Sequence, residues 1–243
     1  QILVLALAAC TTLKKISEKP PEHASPRDFE LQTTTPMIRA AAGGNLAEVK
    51  RLIESGFAVN EASDAGITPL MAAARKNQHK VVEQLLIAGA DAKIKDSQGS
   101  TALHFAALGS SPESIKLLVK KGAPLEQKDS FDLTPLMMAV RFATLDTIKA
   151  LVKAGASIYT ADPNGWTAVH FAIPRSDAVI FEYILDQNPT LDQLDRDGDT
   201  LAGVAIEYRQ SSFARKLFES GAPIGLSDSN GNTPLHHAVM IKD

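Results

Sequence analysis

The 243-residue sequence has only one cysteine, Cys10. One cysteine cannot form an internal disulfide bond, and cysteine-rich zinc modules need several thiolates, so both classes of protein are excluded. The chain also lacks an excess of positive charge, since 25 Lys and Arg against 28 Asp and Glu give a formal net charge of −3. Nucleic-acid binders usually concentrate basic residues on one surface. The charge balance therefore argues against nucleic acid as a partner.

Long hydrophobic runs are also missing. The apolar run at residues 1–9 is far shorter than the roughly 20 residues that a membrane-spanning helix needs. Apolar residues nevertheless make up 44% of the chain and charged residues 22%, which is the balance of a folded protein rather than a disordered one. The sequence therefore predicts a fold that depends on apolar packing alone.

The beginning of the chain has the pattern of a secretory signal. Residues 1–9 fit a truncated hydrophobic region followed by small residues, as before a cleavage site. Leu7-Ala8-Ala9-Cys10 resembles the lipobox of bacterial lipoproteins, which implies cleavage before Cys10 and lipidation of its thiol. Thr11, where inner-membrane lipoproteins have Asp, implies the outer membrane, facing the periplasm. Two alternatives remain: an ordinary signal cleaved nearby, or an N-terminal helix in which Cys10 is buried.

Residues 10–34 are predicted to be the lipidated cysteine and a flexible linker, because this segment contains three prolines and mixed charges.

An internal repeat of 33 residues follows the linker. A threonine begins each copy, and an alanine stands five residues later in every copy. The threonines are Thr35, Thr68, Thr101, Thr134, Thr167, Thr200 and Thr233. Thr-Pro pairs such as Thr68-Pro69 are typical of an N-cap followed by the first residue of a helix.

Each copy predicts two helices and a turn. Alanines on the first helix permit close stacking between repeats. The second helix has three apolar residues at helical spacing, such as Val82, Leu85 and Leu86. It ends at a glycine in five copies, which are Gly56, Gly89, Gly122, Gly155 and Gly221. With Thr233-Pro234-Leu235-His236-His237-Ala238, the unit resembles the ankyrin repeat. The resemblance implies an all-α solenoid of stacked helix-turn-helix units with short hairpin turns. It covers residues 35–243 as about 6.3 repeats, the last one incomplete.

Some positions depart from the repeat pattern. Asp132 replaces a turn glycine and predicts either a strained residue or a different turn. Gly203 lowers the helix propensity of the first helix of the sixth repeat. Pro189 follows Asn188, which replaces the terminal glycine of the fifth repeat. We expect the array to be least regular around repeats five and six.

Motifs for catalysis or cofactor binding are not recognisable in the sequence, so we expect no enzyme activity, cofactor or metal. His104, His170 and His236 stand two repeats apart, about 20 Å from one another, and cannot share one metal ion. The resemblance implies that such histidines form hydrogen bonds to a neighbouring turn. The acidic turn at 195–199 weakly resembles a calcium loop, but its glycine is misplaced for an EF-hand.

Ankyrin arrays bind partner proteins through the turn tips and the exposed ends of the first helices, which line a concave side. At these normally polar positions, the chain has aromatic, Arg and Leu side chains that are typical of binding hot spots. The predicted protein-binding residues are Phe131, Leu133, Arg141, Phe142, Trp166, Arg175 and Tyr208. The alternative is that each ring packs locally against its own turn. Phe105 and Phe171 are predicted to be core residues.

Together these features favour a non-catalytic, membrane-tethered ankyrin-repeat lipoprotein that binds a partner protein, with membrane contact through the lipid anchor only and without nucleic acid or a small-molecule substrate. One alternative is an inhibitor or immunity protein for an envelope enzyme or toxin. Another is a cytosolic ankyrin scaffold.

Overall fold

A computed structural model of the chain describes residues 35–241. The predicted signal, the lipidation at Cys10 and the linker lie outside these residues. The described part of the chain forms thirteen helices and one isolated antiparallel bridge, between Leu194 and Thr200.

The helices are α1 Pro36–Ala42, α2 Leu46–Glu54, α3 Pro69–Arg75, α4 His79–Ile87, α5 Ala102–Leu108, α6 Pro112–Lys120, α7 Pro135–Phe142, α8 Leu145–Lys153, α9 Ala168–Arg175, α10 Ala178–Leu185, α11 Leu201–Glu207, α12 Ser211–Glu219 and α13 Pro234–Ile241.

The first helix of every repeat begins directly after the repeat threonine, as the sequence predicted. The hydroxyl oxygens of Thr35, Thr68 and Thr134 each accept a hydrogen bond at 3.3 Å from the backbone N–H three residues later. Each of these threonines precedes a proline, whose missing N–H has no intrahelical partner at that position. An N-cap bond of this kind stabilises a helix by about 1 kcal/mol.

The described residues form two compact units, 35–189 and 190–241. In the larger unit, the first helices α1, α3, α5, α7 and α9 pack side by side in chain order. The second helices α2, α4, α6 and α8 form a parallel row, and α10 packs on α9. In the smaller unit, α11 packs against both α12 and α13. The boundary follows Pro189, one of the positions that depart from the repeat pattern.

The core of the larger unit lies between successive repeats. Small side chains such as Ala73 and Ala106 are fully buried on the first helices, and this allows neighbouring helices to approach closely. The second helices contribute larger buried side chains, including Leu85, Ile115 and Leu118. Burial of each of these larger side chains stabilises the fold by about 1.5–3 kcal/mol. Apolar packing between repeats is therefore the main stabilising interaction.

The turns between repeats are joined tip to tip by backbone hydrogen bonds. The Ser97 N–H donates to the Ala65 carbonyl at 2.9 Å, and the Ser130 N–H donates to the Gln98 carbonyl at 2.7 Å. Asp132 has a φ of 59°, so the position where glycine is missing is a strained left-handed residue, one of the two outcomes that the sequence allowed. Within residues 35–241, no helix is both long and apolar enough to cross a membrane.

Candidate functional site

The turn before α7 presents an exposed phenylalanine on a rigid frame. The Oδ1 atom of Asp129 accepts hydrogen bonds from the backbone N–H groups of Phe131 and Leu133, each at 2.9 Å. These bonds fix the backbone on both sides of Asp132. The side chain of Phe131 remains 48% exposed. A large apolar group is therefore held at the turn tip with little conformational freedom in the backbone beneath it.

Leu133 corrects the predicted set of exposed binding residues, because it is only 5% exposed. Its backbone carbonyl accepts a hydrogen bond from His104 Nε2 at 3.1 Å, which draws this end of the turn onto the preceding repeat. The side chain of Leu133 therefore belongs to the packing beneath the turn rather than to a binding surface.

The other end of α7 has a second exposed aromatic side chain. This helix is one residue longer than α1, α3 and α5, and it ends at Phe142, which is 38% exposed. The guanidinium carbon of Arg141 lies 4.9 Å from the centroid of the Phe142 ring. A cation–π contact at an exposed site contributes about 0.5–1 kcal/mol. Phe131, in the turn that leads into the fourth repeat, forms the repeat-four patch together with Arg141 and Phe142.

Two other predicted binding residues, Trp166 and Arg175, make contacts with neighbouring residues of the array itself. Trp166 is half-buried and stacks on His170, with ring centroids 6.0 Å apart, and it meets Phe171 edge-on at 5.5 Å. Arg175 Nη1 donates to the Val140 carbonyl at 2.9 Å and so joins α9 to α7. For Trp166, this arrangement supports the alternative of local packing. Phe171, like Phe105, is buried, as predicted.

Tyr208 lies in the smaller unit as the C-cap residue of α11. It is half-buried, and its backbone N–H donates to the Val204 carbonyl at 3.0 Å. Tyr208 therefore belongs to a different unit from the repeat-four patch.

The buried histidines His104 and His170 act as neutral capping residues. The Nδ1 atom of His104 accepts a hydrogen bond from the Thr101 N–H at 3.1 Å, and that of His170 accepts one from the Thr167 N–H at the same distance. Burial lowers the pKa of both rings to about 4. The predicted hydrogen bond to a neighbouring turn is found for His104. His170 Nε2 is buried without a hydrogen-bond partner among the described residues.

Sequence reasoning missed a buried polar cluster in the smaller unit. One possible ligand atom from each of Asp199, Asp228 and His237 lies within 4.8 Å of the other two. His237 Nε2 is 3.0 Å from Asp228 Oδ2 and donates a hydrogen bond to it. On the other side of the ring, Glu207 Oε1 lies 3.3 Å from Nδ1, an ion-pair distance without an aligned hydrogen bond. The spacing of these residues follows no metal motif, so only the fold reveals the cluster.

The ionisation of the cluster follows from these contacts. The adjacent Glu207 carboxylate raises the pKa of His237, against the opposing effect of burial. Burial by itself raises the pKa of Asp228, but hydrogen bonds from the backbone N–H groups of Asn230 and Asn232 bring it below its ordinary value. Asp228 is therefore held as a carboxylate beside His237.

Known proteins share this architecture. The family described as "Ankyrin repeats (3 copies)" matches residues 5–96, 79–162 and 136–228. The chain is similar to neurogenic locus notch homolog protein 1 of Homo sapiens, with 39% identity over 62 residues, which cover 26% of this chain and 2% of that protein. The Danio rerio protein of the same name is 39% identical over 66 residues, or 27% of this chain and 3% of that protein. The chain thus spans only a small part of these relatives.

Among solved structures, the chain is similar to the crystal structure of the ankyrin repeat domain of Bcl-3, described as a unique member of the IkappaB protein family. The TM-score is 0.77 and the sequence identity 25%, with 86% of this chain and 99% of that chain covered. The family match covers most of the chain, and the fold agrees with the predicted all-α solenoid. The chain belongs to the ankyrin-repeat family.

Proposed function

We propose that this chain is a non-catalytic binding module that recognises a partner protein through the repeat-four patch. The ankyrin-repeat fold is typically a non-enzymatic interaction scaffold. The observation that supports this site is the exposure of Phe131 and Phe142 at the two ends of the first helix of one repeat. Exposed aromatic side chains beside an arginine are characteristic of binding hot spots.

The mechanism is recognition by a preformed surface. The Asp129 hydrogen bonds fix the backbone beneath Phe131, and α7 fixes the position of Phe142. A partner that binds both rings loses little conformational entropy in this protein, which favours affinity.

The test compares partner capture by three forms of the full chain: wild type, a Phe131→Ala/Phe142→Ala variant, and an Ile87→Ala/Val179→Ala control. The control removes apolar side chains from the second helices that are even more exposed, Ile87 at 68% and Val179 at 61%. Captured proteins are identified after cross-linking in cells, and their affinity is then measured with purified components. Loss of a true anchor costs about 2 kcal/mol, or roughly thirtyfold in Kd. If the Phe131→Ala/Phe142→Ala variant and the control bind the partner with equal affinity, the repeat-four patch is not the binding site.

We further propose that the module is a bacterial lipoprotein, anchored through Cys10 to the outer membrane and facing the periplasm. The support is the Leu7-Ala8-Ala9-Cys10 pattern followed by Thr11. Labelled palmitate should be incorporated into the wild type but not into Cys10→Ala. A Thr11→Asp variant should keep the label and move to the inner membrane. Lack of label in the wild type would overturn the lipid anchor without affecting the binding patch.

A further inference from the structure

Three buried side chains from three chain segments converge in the smaller unit. Asp199 lies directly before the N-cap residue of α11, Asp228 lies in the turn before α13, and His237 lies within α13. One ligand atom from each falls within 4.8 Å of the other two. We propose that these three side chains bind one divalent transition-metal ion of the zinc class, with His237 contributing Nε2 and the two aspartates contributing carboxylate oxygens.

The spacing of one ligand pair is close to that of a metal site, and the remaining pairs lie within 4.8 Å. Ligand atoms that lie about 2.0–2.2 Å from a tetrahedral zinc ion are separated from one another by about 3.3–3.5 Å. His237 Nε2 and Asp228 Oδ2, 3.0 Å apart, are already within a few tenths of an ångström of this spacing. A pair near the 4.8 Å limit has to close by about 1.3 Å when the ion binds. Binding of the ion therefore requires each ligand pair to close by at most about 1.3 Å.

Glu207 is placed where it can supply the outer interaction that zinc-binding histidines usually have. Its Oε1 atom lies 3.3 Å from Nδ1, the ring nitrogen opposite the proposed ligand atom. When the ion occupies Nε2, the proton of the neutral ring is on Nδ1 and is directed toward Glu207. Such a carboxylate–histidine–metal arrangement fixes the ring orientation and makes the ligand nitrogen more basic.

Gly203 leaves space beside the ligating nitrogen. Every other repeat has a larger side chain at this position of its first helix. These side chains are Ile38, Met71, His104, Met137, His170 and His236. A Cβ atom built on Gly203 would lie 3.7 Å from His237 Nε2, so a longer side chain there would occupy the space next to this nitrogen. The irregular glycine of the sixth repeat therefore has a role in accommodating the ion.

The two aspartate turns are held against each other. The Ser229 hydroxyl donates a hydrogen bond to the Asp197 carbonyl. A Cβ atom on Gly198 would come within 2.8 Å of the Ser229 backbone nitrogen, so only glycine fits between the turns. This contact keeps Asp199 and Asp228 close together before an ion binds.

The donor set favours zinc over the harder cations. Calcium and magnesium prefer shells made only of oxygen atoms, whereas an imidazole nitrogen with carboxylates suits zinc and related transition metals. The three protein ligands lie in the interior of the unit and leave one position of a tetrahedral ion for a second carboxylate oxygen or a water molecule. The bound ion would join the turns before α11 and α13 to the body of α13.

The test uses the full 243-residue chain after removal of bound metals with a chelator. Zn²⁺ is titrated by calorimetry, Co²⁺ is titrated by visible absorption, and thermal unfolding is followed with and without Zn²⁺. We expect one equivalent of each metal to bind, a cobalt spectrum that indicates nitrogen and oxygen ligands, and a higher Tm with Zn²⁺. Asp199→Asn and His237→Gln should abolish binding, and Glu207→Gln should weaken it about tenfold.

Matched controls separate the proposed site from surface binding. His236→Gln changes the adjacent, exposed histidine, and Asp197→Asn changes an exposed aspartate of the same turn. Both control variants should bind like the wild type. Gly203→Met introduces the residue that two other repeats have at this position, Met71 and Met137. It should prevent metal binding although all three ligand side chains are still present.

If a variant fails to fold, the cobalt spectrum and the Zn²⁺-dependent Tm of the wild type still test the proposal. Absence of metal binding, retention of binding in His237→Gln, equal loss in His236→Gln, or preference for Ca²⁺ over Zn²⁺ would overturn it.

Discussion

The Nε2 atom of His104 donates a hydrogen bond to the backbone carbonyl of Leu133, 3.1 Å away and 29 residues later in the chain. Nδ1 of the same ring accepts a hydrogen bond from the Thr101 N–H. One side chain therefore caps its own helix and holds the next turn, and it can do both only as the neutral tautomer with its proton on Nε2.

Stability should fall on acidification because of His104 and His170. Their pKa is about 4 in the folded protein and about 6.5 in an unfolded chain, so the unfolded state takes up protons first. The stabilisation is complete above about pH 6.5 and is lost progressively as the pH falls toward about 4. One pKa unit corresponds to about 1.4 kcal/mol, so the acid-induced loss of stability from each histidine is at most about 3.5 kcal/mol.

Replacement of both histidines by methionine should flatten this pH dependence. Met71 and Met137 occupy the same repeat position, and their sulfur atoms accept the threonine N–H at 3.4 Å. Urea unfolding of His104→Met/His170→Met at about pH 7 and about pH 5 measures the effect. The exposed His79→Met is the control. An equally steep loss of stability in the double variant would contradict this assignment.

Gly109→Ala should destabilise the larger unit by about 1–3 kcal/mol. The added methyl group would lie 2.6 Å from the Ala74 carbonyl oxygen, and α3 cannot move away without loss of packing. Gly43 has the same repeat position and a similar backbone conformation, but the nearest atom to its added methyl group is 3.2 Å away. Chemical denaturation should therefore show a much smaller effect for Gly43→Ala, and similar effects for both substitutions would rule out the steric explanation.

Ser110→Gly and Ala143→Gly should change stability in opposite directions, although both residues follow a first helix at the same repeat position. Ser110 has a left-handed backbone with φ of 49°, and glycine relieves that strain, which gives a gain of about 0.5–1 kcal/mol. Ala143 is extended with φ of −99° and is buried, so glycine there should cost about 1 kcal/mol. Differential scanning calorimetry of the two variants decides the point; a Tm shift of the same sign would contradict it.

Asp162→Ala should loosen the turn that positions Trp166. Oδ1 of Asp162 accepts hydrogen bonds from the backbone N–H groups of Asn164 at 2.9 Å and Trp166 at 2.8 Å. Loss of both acceptors should cost about 1–3 kcal/mol, whereas Asp162→Asn retains an oxygen and should cost less. Trp166 is the sole tryptophan, so its fluorescence during urea unfolding reports on this turn. Equal destabilisation by Ala and Asn would show that charge, not the acceptor, is important.

The repeat architecture could be predicted from the sequence because its signals are local. A threonine hydroxyl caps the helix that begins at the next residue, as at Thr68 and Thr134, and the glycine or Asn188 that ends a second helix adopts a positive φ. These preferences depend on atoms a few residues apart. The 33-residue spacing repeats these residues, so the same local preferences act in every copy.

Other features depend on contacts between residues of different repeats, and the sequence by itself did not determine them. Leu133 is buried beneath a turn whose backbone is bonded to His104 of the preceding repeat, and Trp166 is half-buried where it stacks against His170. The cluster of Asp199, Asp228 and His237 has no recognisable spacing, because the stacking of repeats brings its members together. Helix boundaries and the repeat period thus follow from the sequence alone. Exposure and side-chain convergence were decided by the tertiary structure, because they depend on distances across repeats.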